Sequence, residues 1–117
     1  FKNHVSDRTD WRKMLRGPAE AIDLAEQRNQ LQAECADQIK LLQQELGEDA
    51  ITTLTDGKTL EISYPVQQYP EKVSSMNFDK TPEIAGKLFG IKGQYLIMDK
   101  GVLNIRKFTG YQITMKA

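Results

Sequence analysis

His4 and Cys35 are the only imidazole and the only thiol in this chain. A Ser-His-Asp or Cys-His arrangement would have to be built on His4 alone, and no second histidine stands by to pair with a serine or with Cys35. A metal site needs several His, Cys or carboxylate ligands that converge. Glu20, Asp23 and Glu26 share one side of a helix start, where acids ordinarily serve the positive helix end. Two facing carboxylates could do glycosidase-type chemistry, but no acid pair here has a spacing that predicts it. The expectation is no catalytic residue, no metal ligand and no cofactor.

Binding chemistry is better represented. Gly90-Ile91-Lys92-Gly93 superficially resembles a phosphate loop, yet it lacks the GxxxxGK[ST] spacing and a following helix. It reads as a corner between two strands. Lys92, Arg106 and Lys107 lie close in sequence to Tyr95, Phe108 and Tyr111. Cations on an outer strand face can grip a phosphate backbone while an aromatic ring stacks a base. Lys92, Tyr95, Arg106 and Lys107 are therefore the expected nucleic-acid contacts. The alternation places Leu103 and Ile105 on one face, and Asn104 and Arg106 on the other.

The elements that must carry these residues follow from apolar rhythm. Thr9 and Asp10 are helix-starting types, and Trp11 and Leu15 share a face of the short helix that follows. Gly17 stops it, and Pro18 suits the first position of the next. Leu24, Leu31, Cys35, Ile39, Leu42 and Leu46 then form one stripe, so a single helix is expected over 18–46, with Gly47 as its stop. Such a helix would span about 44 Å, against roughly 35 Å for the diameter of a globule of this size. It must overhang, break or pack on a partner, and Trp11, Leu31 and Ile39 are the expected interface residues. Cys35 reads as a small core residue of the stripe.

Beyond Gly47 the rhythm becomes two. Leu60, Ile62, Tyr64 and Val66 alternate with polar residues up to Pro65, which favours an edge. Asp56-Gly57 before them is a hairpin-type turn. Residues 67–82 read as an irregular connection. Ile84 to Phe89, Gln94 to Met98 and Val102 to Lys107 read as strands, the last two joined by a three-residue loop ending in Gly101. Tyr111, Ile113 and Met115 repeat the pattern after the turn at Thr109-Gly110. About five short antiparallel strands with glycine corners predict a small barrel or curved sheet.

Composition narrows the function classes. Across 117 residues, 16 Lys and Arg balance 16 Asp and Glu, which excludes a wholly basic nucleic-acid binder. The balance conceals a split: residues 1–54 carry a net −3 and residues 55–117 a net +3. No apolar run approaches the roughly 18 residues of a membrane helix, so no membrane partner is expected. A single cysteine suits a reducing compartment, the cytoplasm. Phe1 opens the chain with no signal-peptide pattern, and the simplest expectation is a chain that starts inside a longer protein.

Asp7-Arg8-Thr9-Asp10-Trp11-Arg12-Lys13-Met14-Leu15, Tyr64-Pro65-Val66, Tyr69-Pro70, Asn77-Phe78-Asp79-Lys80, Gly90-Ile91-Lys92-Gly93-Gln94-Tyr95-Leu96-Ile97, Asn104-Ile105-Arg106-Lys107 and Thr109-Gly110-Tyr111 resemble the C-terminal part of an uncharacterised bacterial family catalogued as domain of unknown function 2797. The resemblance implies that full-length members carry a cysteine-pair zinc region and a segment similar to GIY-YIG nuclease domains, both upstream of Phe1. Neither motif occurs in this chain, so the resemblance transfers no catalytic or metal-binding residue.

The fold expected is α+β, with helices over 1–50 including one long helix, a small antiparallel β part over 51–117, and one shared core. The function expected first is a non-catalytic accessory domain of a nuclease-like protein that contacts nucleic acid through a cationic β-hairpin. A structural or oligomerisation module on the long acidic helix, as a homo-oligomer or packed on the upstream region, is the alternative. A carboxylate-dependent hydrolase comes third.

Overall fold

Two aspartates decide where the first helices begin. In the computed structural model, which describes residues 1–6 and 8–117, Asp10 accepts a hydrogen bond from the Lys13 N–H (3.1 Å) and starts α1, Trp11–Arg16. Asp23 accepts from the Ala25 and Glu26 N–H groups (2.9 and 3.1 Å) and starts α2, Leu24–Glu34. Each carboxylate satisfies donors that the first helical turn leaves without partners. Asp7, the first residue of the motif quoted above, lies outside the described residues.

The expected helix over 18–46 is therefore corrected at two points. It begins at Leu24 rather than Pro18, because Asp23 supplies the cap. It also breaks at Cys35 (φ −98°, ψ 2°), resumes as α3, Ala36–Leu46, and ends at Gly47 (φ +100°). Two pieces of eleven residues, each about 16 Å long, replace a single overlong rod. The break coincides with the buried Cys35 side chain.

The chain divides into two compact units, Phe1–Arg8 with Glu20–Glu61, and Thr9–Ala19 with Ile62–Ala117. α1 belongs with the sheet. The buried cluster joins Leu15 of α1 to Tyr95, Ile97 and Val102 and lies within the second unit. In the first unit, α2 and α3 contain no buried residue, and Leu24, Leu41, Leu42 and Leu46 are exposed.

The second unit holds one antiparallel sheet in the order β1 (Leu88–Lys92), β2 (Tyr95–Met98), β3 (Gly101–Asn104). It is an open three-stranded sheet, not a barrel of about five strands. β1 turns into β2 through Gly93-Gln94, and β2 into β3 through Asp99-Lys100. Gly101 is thus the first residue of β3, opposite Met98, rather than the end of a three-residue loop. Its lack of a side chain serves a close approach: a Cβ there would stand 2.6 Å from the Ser74 carbonyl oxygen.

The missing strands have a physical reason. Of the alternating run 60–66, only Val66 is bridged to the sheet, opposite Gly90, with Gln67 N–H donating to Phe89 O (2.8 Å) and Ile91 N–H to Pro65 O (3.0 Å). On the far side, Ser75 bridges Val102, with Met76 N–H donating to Val102 O and Val102 N–H to Ser74 O. Continued from the Val66 bridge, the antiparallel register sets Tyr64 level with Lys92, the last residue of β1, so 60–63 run past the sheet, and 111–115 pairs with neither edge. The strand expected over Ile84–Phe89 begins only at Leu88. The strand expected over Val102–Lys107 stops at Asn104 and coils into a 3-10 turn, Ile105–Phe108.

Candidate nucleic-acid interface

Direct cross-strand partners share a face of an antiparallel sheet, so Lys92, Tyr95 and Asn104 form one row across β1, β2 and β3. This row ends the core face, where α1 packs. The Trp11 ring stacks on Tyr95 with centroids 5.8 Å apart and planes 4° from parallel. Leu15 is fully buried in the same cluster.

Lys92 lies at the centre of this arrangement and is only 4% exposed. Its Nζ donates to the carbonyl oxygens of Met14 (2.8 Å) and Gly17 (3.0 Å), at the C-terminal end of α1. The Tyr69 and Tyr64 rings lie 5.1 and 5.5 Å from the same ammonium. A cation suits the negative end of a helix, where carbonyls lack intrahelical donors, and the electron-rich faces of aromatic rings. The expected outward grip of Lys92 is corrected accordingly: strand register points it to the core, where it clips α1 to the sheet. Tyr95, also buried, stacks with Trp11 and offers no outer face for a base.

Arg106 and Lys107 are exposed, but on the 3-10 turn rather than on a strand. The expected face shared by Asn104 and Arg106 ends where β3 ends. Arg12, Lys13 and Arg16 on α1 are exposed as well, and the Arg12 guanidinium lies 4.4 Å from the Trp11 ring centroid. These three are not among the residues expected from sequence, although WRKMLR holds three cations in six residues. α1 packs on the Lys92–Tyr95–Asn104 row and the 3-10 turn follows Asn104 directly, so these five exposed cations are carried by the two elements that adjoin this row. Asn104 Oδ1 is buried there with no hydrogen-bond partner.

The other expected interface residues are not gathered with these. Trp11 is half-buried in the second unit, while Leu31 and Ile39 are half-buried in the first. His4 Nδ1 lies 3.3 Å from Glu34 Oε2. Two surface depressions each hold a single acid, Glu48 in one and Glu83 in the other. Among the described residues no three His, Cys, Asp or Glu converge, and no helix is long and apolar enough to cross a membrane.

Charge separates far more sharply by unit than by sequence half. The first unit has 5 Lys and Arg against 11 Asp and Glu, a net −6; the second has 11 against 5, a net +6. Two of the three charges by which the split sharpens come from the joining of residues 9–19, which hold α1, to the sheet, and the third from residues 55–61 in the first unit.

On the 3-10 turn, Phe108 packs edge-on between Phe78 and Tyr111. The Tyr111 hydroxyl donates to Asp79 Oδ1 (2.6 Å). That bond, and then the carboxylate charge, raise the Tyr111 hydroxyl above its ordinary value of 10.0. A raised folded value means that the stabilisation is complete below the unfolded value, near pH 10, and is lost as pH climbs through the folded one. Asp79→Ala is expected to bring one tyrosine titration down in a phenolate absorbance titration. An unchanged curve would mean that the pair does not form in solution.

A family model described as "Protein of unknown function (DUF2797)" matches residues 1–113. No curated protein and no solved structure matches the chain.

Proposed function

This chain belongs to the DUF2797 family, and from that premise and the geometry of its basic elements we propose that it is a non-catalytic module that contacts nucleic acid, as an accessory to a nuclease-like region of a longer protein. The observation that carries the reading is the net +6 of the sheet unit, with Arg12, Lys13 and Arg16 exposed on α1 and Arg106 and Lys107 exposed on the 3-10 turn. Each cation set against a phosphate releases condensed counterions, which drives association whatever the base sequence. A chain of zero net charge gains nothing from its total charge; only the separation into −6 and +6 units steers it. The acidic unit is repelled by the same phosphates and so favours binding through the sheet unit. Lys92 and Tyr95 act from within, by holding α1 in place beside the 3-10 turn.

Exposed Leu41, Leu42 and Leu46 favour the second reading, self-association through the acidic helices. It is the weaker of the two, because it brings together two surfaces that each carry net negative charge.

Fluorescence-anisotropy titration of the chain with single- and double-stranded oligonucleotides at low salt tests the proposal. Binding is expected, and Arg106→Ala with Lys107→Ala is expected to weaken it about tenfold or more, equivalent to about 1.4 kcal/mol. No salt-sensitive binding, or binding indifferent to the double substitution, rejects the reading.

A further inference from the structure

Two stretches with strand alternation run past the ends of the sheet bridges. In one, Leu60 and Ile62 are exposed and Tyr64 is about half exposed; in the other, Met115 is exposed and Tyr111 and Ile113 are about half exposed. Among the described residues, no backbone–backbone hydrogen bond involves 52–63 or 112–117. Each stretch therefore presents free main-chain donors and acceptors beside an apolar row, the condition for strand addition.

Within the second unit the two stretches are anchored beyond opposite edges of the sheet. The first is tied to the outer edge of β1: Val66 bridges Gly90, and the Tyr64 ring faces Lys92. The second is tied beyond the opposite edge: Tyr111 bonds Asp79 and packs on Phe108, which packs on Phe78, just past the Ser75 bridge to β3. From the Val66 bridge across β1, β2 and β3 to the Ser75 bridge is four strand spacings, about 19 Å.

We infer that residues 60–64 of one copy pair antiparallel with residues 111–115 of a second copy, and reciprocally, to form a two-fold dimer. In the register that sets Ile62 opposite Ile113, Leu60 faces Met115 and Tyr64 faces Tyr111, so the two apolar rows meet on one face. On the other face Glu61 stands diagonal to Lys116, and no like charges oppose one another. Pairing of 60–64 with its own copy instead sets Glu61 diagonal to Glu61. The reciprocal arrangement uses both stretches of both copies and closes on itself, so it stops at two.

Light scattering of the chain over a concentration series is the first test, with a dimer expected. Ile62→Lys and Ile113→Lys are each expected to weaken dimerisation at least about tenfold, with Trp11 fluorescence unchanged to show that the fold survives. The second test mixes a chain carrying Ile62→Cys with one carrying Ile113→Cys and oxidises the mixture. A 62–113 link between copies, mapped by peptide mass, is expected to dominate. A monomer at every concentration, links only between like positions, or a doubly substituted chain that closes on itself as a monomer overturns the inference.

Discussion

Replacing Lys92 by methionine is expected to detach α1 from the sheet. Methionine keeps much of the apolar stem but donates nothing to the carbonyls of Met14 and Gly17, which Lys92 Nζ now reaches at 2.8 and 3.0 Å. Hydrogen bonds to charged groups contribute roughly 1.5–3 kcal/mol each, and stranded acceptors add their own cost, so a loss of about 3 kcal/mol is expected. Trp11 is the only tryptophan and stacks on Tyr95. Its fluorescence therefore follows the docking of α1 directly during denaturant unfolding. Lys92→Arg keeps the charge but replaces a compact ammonium with a planar fork, so partial recovery is expected. A Lys92→Met chain that unfolds like the parent would show that the clip contributes nothing.

Gly90→Val is expected to be comparably damaging for a different reason. A Cβ at residue 90 would stand 2.6 Å from Val66 Cα and 2.9 Å from the Pro65 carbonyl oxygen. The obstacle is backbone, so no rotamer relieves it. The Val66 bridge has to move, and with it the bonds of Gln67 and Ile91 across the β1 edge. Overpacking of this kind costs about 1–3 kcal/mol. Amide exchange at Gln67 and Ile91 is expected to accelerate with the loss of stability. Gly17→Ala serves as the control: Gly17 is extended (φ −176°) and a Cβ there meets nothing within 4 Å, so a change within about 0.5 kcal/mol is expected. Equal stability of Gly90→Val and Gly17→Ala would contradict the close approach of Val66.

What the residues disclosed before any coordinates depended on whether the deciding interaction was local. Asp10, Gly47 and the pairing of β2 with β3 were legible, because caps and hairpins are set by neighbours in sequence. The runs at 60–66 and 111–115 carry the same alternation as β2 and yet form no strand. Alternation records which faces are apolar, not whether a strand stands alongside: β1 ends at Lys92, level with Tyr64, and neither edge pairs with 111–115. Lys92 was misplaced for a related reason. Its partners are main-chain carbonyls up to 78 positions away, and no side-chain pattern marks a carbonyl as an acceptor. The break at Cys35 carries neither Gly nor Pro to announce it. The segregation of charge is half visible in sequence: −3 and +3 by sequence halves are −6 and +6 by unit, because residues 9–19 join the sheet and residues 55–61 join the helices.

A nucleic-acid contact through the exposed cations of α1 and the 3-10 turn is tested most directly by the salt dependence of duplex binding. The slope of log K against log salt changes by about 0.9 for each phosphate contact removed. Arg12→Gln with Arg16→Gln, and separately Arg106→Gln with Lys107→Gln, are each expected to flatten that slope by up to about 1.8. Lys40→Gln, in the acidic unit, is expected to leave it unchanged. A slope that neither pair alters, or that Lys40→Gln alters as much, would contradict a nucleic-acid contact through these cations.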